Sequence, residues 1–204
     1  TAGSLFDIVK LTDISKDIIA AMTGEQVYER TLTWAKEYDK ELHTLLSSNR
    51  DYGVKLLNIE RNGEKPRKDF GKWSDVKGHI FYFYDSLFEA DLNTNGRQFA
   101  ENVKNEEIVR VLNTYVEVYN ENDTKDEWLD RVRQLCEELG YAGNVKTFKK
   151  DPTSYKGHIG DVTGIIRIAL ANRKNTPDMY EIMQVMGRRM TLNRLTGCAS
   201  SMMD

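Results

Sequence analysis

The chain has 204 residues, enough to bury a substantial core as one large domain or two small ones. Hydrophobic residues make up 40% and charged residues 30%, with only three prolines, a balance that suits a mostly helical protein. No run reaches the roughly 18 to 20 apolar residues that span a bilayer, and the net charge of -3 excludes a strongly basic, nonspecific nucleic-acid binder, so neither a membrane nor DNA is an expected partner.

Cys136 and Cys198 are the two cysteines, giving neither a disulfide framework nor metal-ligand spacing. Cys136 lies in a helical pattern and reads as a small buried hydrophobe. With no signal-peptide pattern, the expected location is the reducing cytoplasm. The small net charge hides a segregation. Lys146 to Arg194 carries ten basic residues against four acidic ones, whereas Glu101 to Gly140 carries eleven acidic and five basic. One face suited to a polyanion and an opposing acidic face is one reading of that split; solvated helix faces are the other.

Helical periodicity runs nearly throughout. Ser15 to Met22 and Thr23 to Tyr38 read as consecutive helices, with Thr23 and Gln26 at capping-box spacing. Lys40 to Leu46 and Arg50 to Glu60 continue the pattern, broken at Ser47-Ser48-Asn49. Asn62-Gly63-Glu64-Lys65-Pro66 is the clearest interruption, and the main domain boundary is placed there: residues 1–66, then 67–204, with a possible subdivision near 143. Ser74 to Phe88 reads as one aromatic-rich core helix and Asp91 to Gly96 as a polar turn. Glu101 to Tyr119 and Asp123 to Leu139 are amphipathic helices, the second ended by Gly140. Lys146 to Gly157 reads as a basic, proline-containing loop.

The most informative stretch is Ile165 to Gly187. Ile165, Ile166, Ile168, Ala169 and Leu170 make a helix with little polar surface, in which Arg167 is expected to be buried. Asn172-Arg173-Lys174-Asn175 breaks the pattern. Thr176 then reads as a cap, Pro177 as a first-turn residue and Asp178 as an acid at the positive helix end, and Gly187 stops the helix. Two buried helices joined by an Arg-Lys elbow present cations on a rigid frame.

These residues resemble the last helical subdomain of bacterial-type glutamate–tRNA ligases, in which Thr176-Pro177-Asp178-Met179-Tyr180-Glu181-Ile182-Met183 and Val185-Met186-Gly187 have counterparts. Tyr155-Lys156-Gly157-His158-Ile159-Gly160-Asp161-Val162 resembles the segment just before it. Lys65-Pro66-Arg67-Lys68-Asp69 with Lys72-Trp73-Ser74-Asp75-Val76, and Phe6-Asp7-Ile8-Val9-Lys10-Leu11, match earlier segments in the family's order. Ala171-Asn172 departs from the usual threonine-glycine.

The resemblance implies an all-α chain: a helical stem-contact segment, then an anticodon-binding helical cage. The implied partner is a glutamate-accepting tRNA through its anticodon stem-loop. The sequence has neither signature motif of a class I ATP site, nor a strand-rich half for the parallel sheet. Gly157-His158-Ile159-Gly160 lacks the second histidine and lies near the C-terminus. By the resemblance the chain begins just after the catalytic domain. It therefore needs no cofactor of its own, ATP being used by that domain, and does not aminoacylate alone.

Unpaired bases are read by stacking and edge hydrogen bonds, and phosphates are held by Lys and Arg. Lys149, Lys150, Lys156 and His158 around Tyr155 offer both kinds of contact. Arg173 and Lys174 at the elbow are the next candidates, followed by Arg67 and Lys68, for which pairing to Asp69 or Asp75 is the structural alternative. Trp73 reads as a packing residue. The competing functional class is a helical protein–protein adaptor with segregated charge faces. An acid–base enzyme built on His158 and Asp161 lacks a nucleophile, a metal set or a phosphate loop.

Overall fold

A computed structural model describes residues 7–61 and 63–203; Phe6 of one matched segment and Asn62 of the predicted break lie outside them. Among the described residues the elements are helices, with one isolated parallel bridge between Ala142 and His158, so the chain is all-α. By backbone contacts it divides at residue 85 into two compact units. The break around Gly63 to Pro66 therefore falls inside the first unit.

The first unit contains α1 (Ile8–Ala20), α2 (Gly24–Tyr38), α3 (Lys40–Ser48), α4 (Arg50–Leu57) and the short α5 (Val76–Ile80), flanked by 3-10 turns at Trp73–Asp75 and Phe81–Phe83. The expected capping box starts α2: Gln26 N–H donates to Thr23 Oγ1 at 3.2 Å, and Thr23 N–H donates to Gln26 Oε1 at 3.0 Å. Helices α2, α3 and α4 pack on one another around Val27, Ala35, Leu42 and Leu46. The Tyr28 hydroxyl, buried with them, donates to the Leu46 carbonyl at 3.1 Å, which satisfies its polar end. Helix α1 begins seven residues earlier than the periodicity suggests, because Asp7 caps it. It leaves Ile8, Val9, Leu11, Ile14 and Ile18 between 48% and 71% exposed.

The single aromatic helix expected over Ser74 to Phe88 is instead interrupted. In an α-helix successive side chains point about 100° apart, so consecutive rings cannot all reach one core. The 3-10 turn at Phe81–Phe83 and extended backbone at Tyr84 (φ -123°, ψ 119°) remove that restriction. Phe81, Tyr82 and Phe83 are all buried, as their expected core role requires.

The second unit contains α6 (Asp85–Asn95), α7 (Asn105–Val118), α8 (Lys125–Leu139), α9 (Val145–Lys150), α10 (Ile159–Ala171) and α11 (Met179–Ser201). The predicted polar turn at Asp91 to Gly96 is the end of α6, which Gly96 terminates with φ 65°. The predicted basic loop is likewise partly helical: Asn144 caps α9, and a 3-10 turn follows at Pro152–Ser154. Asp178, not Thr176, caps α11, accepting from Glu181 N–H at 3.1 Å, while the buried Thr176 hydroxyl donates to the Pro177 carbonyl. At Gly187 φ 73° and ψ 168° break α11, a backbone region open essentially to glycine alone. The second half of α11 thereby changes direction.

Helix α10 packs against α7, α8 and α11, burying Val162, Ile166, Ala169 and Leu170 among Leu112, Leu135, Ile182 and Met183. Arg167 is half-buried rather than buried. The Tyr115 hydroxyl receives Trp128 Nε1–H at 2.9 Å and donates toward Met183 Sδ at 3.3 Å, a polar chain inside an otherwise apolar core.

Cys136 and Cys198 are both 0% exposed, and burial pushes the Cys136 thiol up to about 11 and the Cys198 thiol above its usual range. Neither should react with a thiol reagent at pH 8 until the chain unfolds. Rapid labelling of the native protein would contradict this core.

Between α7 and α8 the buried Asp123 carboxylate accepts from Arg131 Nε and Nη2 at 2.6 and 2.9 Å and from Asn120 Nδ2 at 2.7 Å. Its backbone carbonyl accepts from the Tyr180 hydroxyl of α11 at 2.8 Å. The Arg131 hydrogen bonds hold its pKa below the ordinary carboxylate value. An acid depressed in the folded state contributes stability above its unfolded pKa of about 3.9 and loses it as pH falls through the folded value. Asp123→Asn should therefore lower the melting temperature at pH 7 and flatten its decline below about pH 4. Parallel acid limbs in thermal melts of the two proteins would contradict that pairing.

Candidate nucleic-acid interface

The elbow between α10 and α11 is built by Asn172. It closes α10 in the left-handed conformation (φ 50°, ψ 33°), donating its N–H to the Ile168 carbonyl at 2.9 Å. Asparagine tolerates this region, which explains how it stands where the resembling family has glycine. Its side chain is fully buried. Oδ1 accepts from Gln98 N–H at 3.1 Å, and Nδ2 donates to Asp91 Oδ2 at 2.8 Å and to the Gly96 carbonyl at 2.9 Å. The residue after the helix is thus tied to the end of α6.

Arg173 follows and is held on the same carboxylate. Its Nη1 and Nη2 donate to Asp91 Oδ2 and Oδ1 at 3.1 and 3.0 Å, and Nη1 also donates to the Asn172 carbonyl at 3.0 Å. Burial alone would raise the Asp91 carboxyl, but the hydrogen bonds from Arg173, Asn172 and Asn95 outweigh it and hold the group below its ordinary value. Two further arginines meet α6 one turn away. Arg194 stacks on the Phe88 ring at 3.5 Å from its centroid and Arg97 lies at 5.6 Å, donating to the Ala169 carbonyl at 3.4 Å. Phe88 and Asp91, three residues apart, therefore organise three guanidinium groups from separate segments. Lys174 beside them is exposed.

The remaining C-terminal candidates gather around α9 and the start of α10. Lys149 and Lys150 are exposed in the last turn of α9, and Tyr155 is half-buried beyond it. Lys156 and His158 line a cavity of about 600 Å³ together with Lys104, Glu107, Tyr141 and Phe148. Lys156 Nζ sits 3.3 Å from Glu107 Oε1, which also accepts from the Tyr141 hydroxyl at 2.9 Å. His158 is a helix cap: its Nδ1 accepts from Gly160 N–H at 2.9 Å, while its own N–H donates to Asp161 Oδ2 at 2.7 Å. That arrangement accounts for the His158–Asp161 spacing without catalysis.

Arg67 and Lys68, in the first unit, are engaged by carboxylates. Arg67 makes a fork with Asp69 at 2.9 Å on both bonds, and Lys68 Nζ lies 2.5 Å from Asp17 Oδ1. Trp73 lines a separate open groove of about 810 Å³ with Trp34 and Tyr38, whose rings stack at 5.7 Å. The pairing of Asp91 with Asn172 and Arg173, 81 and 82 residues away, and of Arg194 with Phe88 escapes a reading by local spacing, and only the αL-tolerant Asn172 after an apolar helix carries a sequence signal.

A family model described as an anticodon binding domain matches residues 70–198. The chain is 44% identical over 194 residues to the glutamate–tRNA ligase of Clostridium perfringens strain 13, covering 95% of this chain. It is 41% identical over 194 residues to that of Acetivibrio thermocellus and 37% identical over 185 residues to that of Sorangium cellulosum. It spans about 35% of the length of the first two relatives and 32% of the third. The matched residues include α7 to α10, the Asn172–Lys174 elbow and nearly all of α11 that holds the rigid frame, and the chain belongs to the anticodon-binding domain family.

Proposed function

We propose that this chain is the tRNA-binding part of a cytoplasmic glutamate–tRNA ligase. It grips the anticodon stem-loop of a glutamate-accepting tRNA so that the distant 3′ end reaches a catalytic domain carried by the longer protein. ATP is used by that domain, and the fragment does not aminoacylate alone. Phosphate contacts from the exposed Lys149, Lys150 and Lys174 supply most of the affinity and Arg173 supplies base selectivity, with the Lys156–His158 cavity at the opposite end of α10 from the elbow, about 20 Å along the helix. The observation that carries this reading is the elbow: a guanidinium and an ammonium on a turn pinned to α6, inside an anticodon-binding fold. Arg67 and Lys68 are the cations proposed to meet tRNA phosphates from the first unit, each keeping a carboxylate partner in the free chain.

The exposed apolar side of α1 supports a packing partner beyond this chain, a role that the catalytic domain would fill. Hydroxyl-radical footprinting of a glutamate-accepting tRNA with the fragment tests the proposal. Protection is expected over the anticodon loop and its stem, with the acceptor end left open. Protection confined to the acceptor end, or spread evenly over the molecule, would overturn it.

A further inference from the structure

The cavity at the start of α10 is framed by backbone hydrogen bonds. Lys156 N–H donates to the Gly140 carbonyl at 3.0 Å, Ala142 N–H to the Gly157 carbonyl at 2.9 Å and Ile159 N–H to the Ala142 carbonyl at 2.8 Å. These bonds fix Tyr141 beside the segment from Lys156 to His158. Glycine at 157 permits the close approach, since a Cβ there would collide with Asp161 Oδ2 and press on Tyr141 Cδ1 at 3.2 Å. Tyr141 is buried, and its hydroxyl donates to Glu107 Oε1. Burial, and then that bond, push its pKa above the ordinary range, so it remains a donor.

The charges lining the cavity cancel. Lys156 Nζ pairs with Glu107 at 3.3 Å, and Lys104 is offset by Asp161, whose Oδ2 accepts from His158 N–H. A space of about 600 Å³ without net charge suits the neutral part of an anionic ligand. Lys146, Lys149 and Lys150 stand exposed on α9, the helix that contributes Phe148 to the cavity wall, and offer cations for the charged part. Two lining groups have capacity to spare. The half-buried Phe148 ring meets His158 edge-to-face at 5.4 Å, a contact that uses at most one of its faces. His158 Nδ1 accepts from Gly160 N–H, so the neutral imidazole carries its proton on Nε2, which has no hydrogen-bond partner among the described residues.

We infer that this cavity is a base pocket: it takes one unstacked RNA base against Phe148, with His158 Nε2–H donating to a base acceptor and the α9 lysines holding the flanking phosphates. Stacking on an aromatic ring and one edge hydrogen bond are how single-stranded RNA is held. The inference rests on the proposed function. Because α10 sets the cavity about 20 Å from the elbow, the base belongs to a different nucleotide from any held there. RNA fits better than a free nucleotide, since the unpaired cations lie along α9 outside the cavity, where a continuing backbone would run.

Fluorescence anisotropy with a glutamate anticodon stem-loop tests the inference, across salt and with each loop nucleotide made abasic in turn. Phe148→Leu, which keeps apolar volume, is expected to bind about tenfold more weakly with an unchanged salt slope, the mark of a lost stack and not of a lost phosphate. His158→Asn keeps a capping acceptor and should still weaken binding several-fold. Lys149→Ala should instead lower the slope by roughly one. One abasic position should cost the wild type about as much as Phe148→Leu does, and cost Phe148→Leu nothing more. If Phe148→Leu and His158→Asn melt and bind as the wild type does, or no abasic position couples to Phe148, the cavity is a packing gap and the inference falls while the proposed function stands. Saturable binding of free nucleoside 5′-monophosphates that Phe148→Leu abolishes, with stem-loop affinity unchanged, would overturn RNA as the source of the base. A wild-type chain that binds no stem-loop would overturn the proposed function itself, and this inference with it.

Discussion

Phe88→Ala should lower the unfolding free energy of the second unit by about 4 kcal/mol, the largest stability loss expected from one substitution here. Phe88 is 1% exposed, so truncation removes a full aromatic side chain from the core and leaves a cavity. It also takes the ring from under Arg194, which is itself buried, and from Arg97. A buried cation over an empty space loses both packing and the favourable face of the ring. Phe88→Leu keeps much of the volume but not the ring, and should cost clearly less. Chemical denaturation of the three proteins checks this. If alanine and leucine cost the same, the cavity is unimportant and the stacked cation carries the effect; if neither exceeds about 1 kcal/mol, the packing described around α6 is wrong.

The second large effect is on RNA binding. Arg173→Ala should weaken binding of a glutamate anticodon stem-loop by about 1–3 kcal/mol and reduce its advantage over a scrambled loop. Glu137→Ala, on the exposed acidic side of α8, should do neither. The pairing with Asp91 bears on this expectation, because a tethered guanidinium has less rotamer freedom to lose on any contact. If the two substitutions behave alike, the elbow is a structural clasp only, and the cavity around Lys156 becomes the next place to probe.

The fold was most legible where local chemistry decides it. The Thr23–Gln26 capping box, the end of α8 at Gly140 and the break at Gly187 follow from capping and glycine geometry, and all three are present. The apolar run of α10 likewise announces a helix packed on several sides. Where tertiary packing overrides local pattern, the reading failed. Phe81 to Phe83 have a continuous apolar signal that fits one helix, yet burying all three rings required a 3-10 turn. Asp91 to Asn95 are polar enough to suggest a turn, but they continue α6, with Asp91 held by Asn172 and Arg173 and Asn95 bonded back to Asp91.

The candidate site divides in the same way. That Arg173 sits on an elbow follows from helix punctuation. That it meets Asp91 does not, because 82 residues separate them. Lys156 and Glu107 are 49 residues apart, so the same limit applies to the second cluster. Sequence chemistry names the cations; only the fold says which are bonded to carboxylates and which face solvent.

The most direct test of the account is equilibrium binding of the chain to a glutamate-accepting tRNA, a non-cognate tRNA and duplex DNA across stepped salt. The account predicts saturable binding strongest for the glutamate-accepting tRNA, with log affinity falling linearly with log salt and duplex DNA bound far more weakly. Equal affinity for all three, or none for tRNA at low salt, would contradict it.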